Sequence, residues 1–288
     1  MLATATIAVR SVGTQSAAWR RRTEYREGVS ASVDLGLKDK RVLITGGTRG
    51  IGLAAAQAFA SEGAQPVLAA RDPELLADAA RAIRMAAGVR AETHVSDLSV
   101  AGAAEDLAEA VGDVDVLVNN AGAIPAGDIA GVDEARWREA WDLKVFGYIN
   151  LCRAYYARMQ LRGGVIVNVI GTGGERHDPA YIAGVTANAG LMAMTRALGA
   201  AGPAVGVRVV GVNPGLTRTD RLERQARRRA TAAGRDPDRW REGLPALPFG
   251  RPAEPEEVAD VVTYLASMRA SYVSGTVVTV DGGHSVAR

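Results

Sequence analysis

The sequence predicts an α/β chain in which parallel strands alternate with helices, and three observations carry that expectation. A short apolar run, Val42-Leu-Ile44, has the all-buried pattern of a strand inside a parallel sheet. It runs into the turn Thr45-Gly-Gly-Thr-Arg-Gly-Ile-Gly52, which opens into the helix-forming run Leu53 to Ala60. Apolar runs and helix-forming segments then alternate to the C-terminus. With 288 residues, 48% of them hydrophobic, the chain can bury one large core. A single α/β domain of about 250 residues with a tail is therefore expected.

The glycine turn comes first, because the rest is organised around it. Glycines let the backbone fold sharply and approach a ligand with no Cβ in the way. The free N–H groups at the start of the following helix lie at the positive end of its dipole. They are suited to a pyrophosphate, as in dinucleotide sites. Gly46, Thr48, Arg49, Gly50, Ile51 and Gly52 are the expected contacts.

Residues 1–36 read as an extended or disordered tail and 37–288 as the domain. Met1 to Thr23 lack any acid and carry Arg10, Arg20, Arg21 and Arg22, a composition compatible with a mitochondrial targeting segment. No cleavage or amphipathic signal is sharp, so a disordered tail or a misassigned start codon is preferred. The net charge of +2 gives no global case for nucleic acid or an acidic membrane. Cys152 is the single cysteine, which excludes an internal disulfide framework and fits a reducing, cytoplasmic setting. No apolar run reaches the ~18 residues of a membrane span.

Pro66-Val-Leu-Ala-Ala70 is the second expected strand, with Arg71 just past its end. An acid at this point would hydrogen-bond an adenosine ribose and repel a 2′-phosphate. Arg71 and Arg49 instead favour NADP(H) over NAD(H), unless Arg71 pairs with Asp72 or Glu74. A helix is expected over Asp78 to Gly88, a strand over Glu92 to Ser96 ending at Asp97-Leu98, and a helix over Ala103 to Val111. The strand Val114 to Val118 leads to Asn119-Asn-Ala-Gly122, a corner whose amides brace neighbouring loops and whose small residues admit a ribose.

These motifs resemble those of the short-chain dehydrogenase/reductase family. They recur in order from about Leu37 to Gly283: Thr45 to Gly52, Asp97, Asn119 to Gly122, Asn213-Pro-Gly215 with Thr219, and Val280-Asp-Gly-Gly283. The resemblance implies a single-domain, Rossmann-like, doubly wound parallel sheet of about seven strands with a helical substrate lid. It also implies a bound NAD(P)(H) and a homodimer or homotetramer, the last strand taking part in subunit packing. Expected cofactor contacts then extend to Arg71, Asp97, Leu98, Asn120, Ala121, Gly122, Pro214, Gly215 and Thr219. No metal is implied.

The family works with an Asn, a Ser and a Tyr-x-x-x-Lys pair, the tyrosine moving the proton as a general acid or base. This chain differs at all four places. The Asn place holds Lys144, the Ser place Gly171, the Tyr place Gly184 and the Lys place Asn188. A gapped register would put Tyr181 at the Tyr place and Val185 at the Lys place, but the ungapped one keeps the usual spacing. Asn and Lys thus exchange places, and Lys144 is the one lysine beyond the start of the first strand, Lys38 and Lys40 being the others.

Asp178-Pro179 reads as an N-cap and first helical position. Tyr181, Gly184 and Asn188 would then share a helix face, with Tyr181 about 4.5 Å along the axis from the usual tyrosine and leaning away from it. Thr172, Glu175 and His177 are further candidates; a solvated loop histidine is the simpler reading of His177. Lys144, Asn188, Tyr181 and Thr172 are the candidate catalytic residues, Lys144 foremost.

Val207 to Val212 is a strand, and Leu222 to Glu242 a long arginine-rich helical segment within a lid at about 216–248. Its arginines (Arg224, Arg227, Arg228, Arg229, Arg239 and Arg241) suit an anionic or carrier-linked substrate, or else pair with Glu223, Asp236, Asp238 and Glu242. Pro255 starts the final long helix, and Gly275 to Asp281 is the last strand. The expected activity is an NADP(H)-dependent interconversion of a carbonyl and an alcohol on a small organic or acyl substrate. A non-redox dehydratase or isomerase using Lys144, and a pseudoenzyme that senses NADP(H), are the alternatives.

Overall fold

Seven strands, six of them largely apolar and the third polar, form one sheet in the computed structural model, which describes residues 33–287. They are β1 (Arg41–Thr45), β2 (Gln65–Ala70), β3 (Glu92–Val95), β4 (Val116–Asn119), β5 (Gly164–Val169), β6 (Val207–Pro214) and β7 (Val277–Val280). All six pairings are parallel, in the order β3-β2-β1-β4-β5-β6-β7. The doubly wound α/β architecture expected from the sequence is the one adopted. Leu35–Arg288 is one compact unit, and the readings of the tail over residues 1–32 lie outside the described residues.

Period-two alternation splits the core into two layers. Val42, Ile44, Val116, Val118, Val167, Val169, Val210 and Val212 face one side. There they meet α1 (Gly50–Ser61), α2 (Pro73–Ala87) and α8 (Pro255–Ala266). Leu43, Leu117, Ile166, Val207 and Val209 face the other side, against α3 (Ala103–Val111) and α5 (Gly147–Met159). The longest helix, α6 (Ile182–Ala201), also lies on that side, with Met194 and Leu198 against its core. Both faces are thus covered, as a parallel sheet requires.

The strand order reverses between β1 and β4, and in open α/β sheets ligands bind beyond the carboxyl ends of strands at such a point. The glycine turn leaves β1 and the Asn-Asn-Ala-Gly corner leaves β4, so the topology sets both motifs at one crevice.

Three expected boundaries need correction. The helix read from Asp78 begins at Pro73, because Asp72 caps it by accepting from the N–H groups of Glu74 (2.9 Å) and Leu75 (3.1 Å). Helix α6 starts at Ile182 rather than after Asp178. The Asp178 side chain accepts from Ala180 N, its carbonyl from Tyr181 N, and residue 181 bridges to Gly127 in parallel. The segment read as one helix from Leu222 is α7 (Asp220–Ala232) followed by a 3₁₀ stretch over Pro237–Gly243. Gly234 at φ 67° turns the chain between them.

Replacing Asp72 by Ala removes both acceptor bonds at the start of α2. A loss of about 1 kcal/mol in urea unfolding is expected; a change within a few tenths would show that Pro73 and burial set the helix start unaided.

Candidate active site at the carboxyl ends of the strands

The crevice is closed by side-chain amides and hydroxyls buried between β1 and β4. Asn120 donates its amide to the carbonyls of Thr45 (3.0 Å) and Gly46 (3.2 Å), while Thr45 Oγ1 accepts from the N–H groups of Asn120 and Ala121, both at 3.0 Å. Gly52 lies so close to this brace that a Cβ there would stand 2.2 Å from Gly46 O and 2.5 Å from Asn120 Nδ2. Helix α1 therefore begins hard against the corner loop. Its N-cap residue, Arg49, makes no side-chain capping bond, and the first turn carries no acid, leaving the first N–H groups for an anion.

Thr219 caps α7 and places its Cγ2 where it would stand 3.0 Å from a Cβ on Gly50. Gly215 follows β6 and is held by its N–H on Val280 O at 3.0 Å. Exposed Arg49 lines an open groove with Leu53, Gln57, Arg218, Thr219 and Pro255. Arg71 stands 3.8 Å from Asp97, not paired with Asp72 or Glu74. Burial penalises the Asp97 charge, yet the Ser99 hydrogen bonds and Arg71 outweigh it and hold the carboxyl below its usual range. Leu98 is buried, its Cβ against Gly147 at the start of α5.

Lys144 sits in a π-helical turn, Asp142–Phe146, between α4 (Glu134–Trp141) and α5. Such turns shift the phase of a helix and often mark functional sites. Trp141 Nε1 donates to Ala183 O at 3.2 Å, tying the turn to the start of α6. Lys144 is 6% exposed and donates from Nζ to Ile170 O at 2.6 Å, just past β5. Burial first, and the Arg221 guanidinium second, push its ammonium down from the usual lysine value to about 7.

Asn188, 2% exposed, reaches the adjacent carbonyl, Gly171 O, from Nδ2 at 3.3 Å. Lys144 and Asn188 therefore converge on consecutive peptides at the end of β5. Asn188 Oδ1 is buried without a hydrogen-bond partner. An orphaned acceptor at this place costs stability unless a ligand or water satisfies it. Gly171 has φ 125°, a conformation that strains any residue with a side chain.

The Tyr181 ring departs from the sequence expectation. Tyr181 precedes α6 as its N-cap, with φ −136° and ψ 37°. From there the ring folds forward over Gly184, where a Cβ would stand 2.0 Å from Cζ, 2.1 Å from Cε1 and 2.6 Å from the phenol oxygen. The ring thus occupies the space of a side chain at 184, not a place one turn away. Because the chain is non-helical at Tyr181, helical lean does not apply. Gly173 also lies against the ring, and Trp141 belongs to the same apolar cluster.

The remaining candidates follow Gly171 in the chain. Thr172 begins a 3₁₀ turn, Glu175 accepts from Thr279 Oγ1 at 3.1 Å, and His177 is an exposed loop residue. Of the arginines beyond β6, Arg227 pairs with Glu223 and Asp238, Arg239 with Glu242, and Arg241 stacks on Trp240. Arg224, Arg228 and Arg229 are exposed. Sequence reasoning passed over Arg221, which donates to Gly122 O and Ile124 O. Its place one residue past the N-terminal position of α7 was the available signal. The buried chain Asn119–Asn168–Thr195, each link 2.9 Å, was missed too, although three polar residues inside apolar runs announce it.

These features place the chain in a known class. A family model described as enoyl-(acyl carrier protein) reductase matches residues 46–285. The chain belongs to the short-chain dehydrogenase/reductase family. Galactitol 2-dehydrogenase (L-tagatose-forming) of Cereibacter sphaeroides is 35% identical over 246 residues, 84% of this chain and 94% of that protein. L-sorbose reductase from Gluconobacter frateurii, solved with NADPH and L-sorbose, superposes with a TM-score of 0.81 at 31% identity. The match covers 88% of this chain and all of that one. An NADPH-bound short chain oxidoreductase from Pseudomonas aeruginosa, described as containing an atypical catalytic center, gives 0.74 at 30% identity, over 86% and 97% of the two chains. Among the described residues no helix is long and apolar enough to cross a membrane.

Replacing Gly184 by Ala puts a methyl where the Tyr181 ring lies, so a loss of about 1–3 kcal/mol in urea unfolding is expected. In a Tyr181→Ala background the same change should cost almost nothing. Equal costs in both backgrounds would show that the ring does not rest there.

Proposed function

We propose that the protein is an NADP(H)-dependent oxidoreductase that interconverts a carbonyl and an alcohol with a non-standard catalytic set. In this reading residues 37–288 are the working domain and about 216–248 its lid. The observation that carries the reading is Lys144: a buried amine with a near-neutral proton affinity, beside a dinucleotide-type crevice. The crevice suits a dinucleotide. Gly52 admits no Cβ, the α1 N-terminus has free donors, and Asn188 Oδ1 lacks a partner. NADPH in the related L-sorbose reductase supports the same choice.

Gly46, Thr48, Gly50, Ile51 and Gly52 would hold the pyrophosphate, and Asn120, Ala121, Gly122 and Asn188 would face the nicotinamide half. Asp97 and Leu98 would border the adenine side, and Pro214, Gly215 and Thr219 would close the site from β6 and α7. The dinucleotide, when bound, supplies or accepts the hydride. The protein's own task is the proton. Lys144 Nζ gives it to the substrate oxygen in reduction and takes it back in oxidation, the alkoxide charge being met by the same group. Tyr181 and Thr172 would line the pocket. The substrate is a small polyol or ketone, or an acyl group, and the protein works as a homodimer or homotetramer in the cytoplasm.

Lys144→Met keeps the aliphatic length and removes charge and proton. Turnover of NADPH with a carbonyl panel should fall by 10²-fold or more while NADPH binding persists. In the native enzyme, reduction requires protonated Nζ, so its rate should fall as pH rises through about 7; oxidation should show the opposite slope. Undiminished turnover in Lys144→Met would overturn the assignment. Product mass separates redox chemistry from its alternatives: a change of two hydrogens is expected, not loss of water.

Arg71 is free to turn from Asp97 towards a 2′-phosphate. Arg71→Ala should weaken NADPH binding by roughly tenfold and leave NADH nearly unchanged, as read by fluorescence titration. Equal losses would make Arg71 a structural partner of Asp97.

A further inference from the structure

Two cations from different elements bear on Gly122. From the second position of α7, Arg221 donates Nη1 to Gly122 O at 3.1 Å and Nη2 to Ile124 O at 3.2 Å. From the π turn, Lys144 lays its methylenes over the same residue, where a Cβ on Gly122 would stand 2.9 Å from Lys144 Cδ. The loop they share, Ala121 to Ile124, has no ionisable side chain. Thr219, two residues before Arg221, rests on Gly50 of the phosphate-type turn. The start of α7 therefore touches the loops after both β1 and β4.

The groups that α5, α6 and the end of β5 turn towards Lys144 are uncharged. Tyr148 and Cys152 on α5 are buried, and burial holds both above their ordinary values, so both stay protonated. Helix α6 presents Asn188, with Tyr181 at its start, and β5 leads into the carbonyls of Ile170 and Gly171. The carboxylates nearest in the chain are Asp142, on the same turn, and exposed Asp220 beside Arg221; burial first and Arg221 second lower the proton affinity of Lys144.

We propose that Arg221 is a positioning residue that couples the docking of α7 to the protonation of Lys144, through its two bonds to the carbonyls of Gly122 and Ile124. The proposal rests on Lys144 being the proton donor. A second positive charge in a site screened from water opposes protonation of the first. With α7 docked, Lys144 releases its proton readily to a substrate oxygen. When α7 lifts, Arg221 leaves with it, the amine regains its affinity and takes a proton from water. Opening of the lid thus recharges the acid between turnovers.

The lysine count makes a direct measurement possible, because Lys38 and Lys40 are exposed and Lys144 is the third of three. Full-length protein carrying ¹³C at lysine Cε should give three resonances, that of Lys144 identified by its loss in Lys144→Met. Its midpoint should lie near neutral pH in the native protein. Arg221→Gln should raise it by about half a pH unit or more, and Arg221→Lys should leave it near the native value. The pH profile of turnover should move with the midpoint.

An unchanged midpoint in Arg221→Gln, or an equal rise in Arg221→Lys, overturns the proposal, since the second outcome would mean lost packing rather than lost charge. Arg221→Met replaces the glutamine variant if that one does not fold. A shifted midpoint together with full turnover in Lys144→Met would instead overturn Lys144 as the donor and leave the coupling of the two cations standing.

Discussion

The architecture of the crevice depends on how closely β1 and β4 deliver their loops to one another. Asn120 spans the gap with two bonds from one amide nitrogen, and Thr45 returns two acceptor contacts through one hydroxyl. That brace leaves no room for a Cβ at Gly52, and it sets the direction in which α1 departs. Gly122, two residues past Asn120, is fixed by the same brace, and the Lys144 side chain lies on it. Backbone groups that would otherwise need water are satisfied inside the fold, while the first N–H groups of α1 stay free. The crevice is therefore braced by the chain's own groups.

Much of this was legible in the sequence because it depends on short-range patterns. Apolar β-branched runs identify the strands, and the glycine turn and the Asn-Asn-Ala-Gly corner identify the switch point. Where reading failed, local signals competed. Asp178-Pro179 has the chemistry of a helix start, but the Asp178 side chain satisfies Ala180 N and the chain goes on to bridge Gly127, so the helix waits until Ile182. Asp72-Pro73 has the same chemistry and does start a helix. Glu74 in the first turn favours the helix after Asp72, whereas after Asp178 no acid follows and the tertiary bridge to Gly127 takes over.

The Tyr181 ring illustrates a second limit. Helical geometry predicts that a side chain leans towards the N-terminus of its own helix. Tyr181 lies outside those dihedrals, and its ring folds the other way, onto a glycine three residues later. The absence of a side chain at 184 and the presence of a ring at 181 are one packing solution, visible only when both are placed. The π turn at Lys144 is likewise unannounced in sequence, since Asp142–Phe146 carries no proline or glycine.

The energetics of Lys144 bear on why a lysine stands there at all. A buried ammonium with one main-chain acceptor and no carboxylate is a liability, and the fold lowers that liability by lowering the proton affinity. Methionine would fill the same channel beside Gly122 with no charge to desolvate. Asn188 Oδ1, also buried and unsatisfied, adds to the same local cost. Asn119 Oδ1, Tyr155 Oη and Thr263 Oγ1 are buried and unpaired as well, but Lys144 and Asn188 are the pair that reach consecutive carbonyls where β5 meets the ligand crevice. Local costs of this kind persist at sites whose use requires them. In the proposed reading, Lys144 and Asn188 are a rearranged polar site rather than the erosion of one.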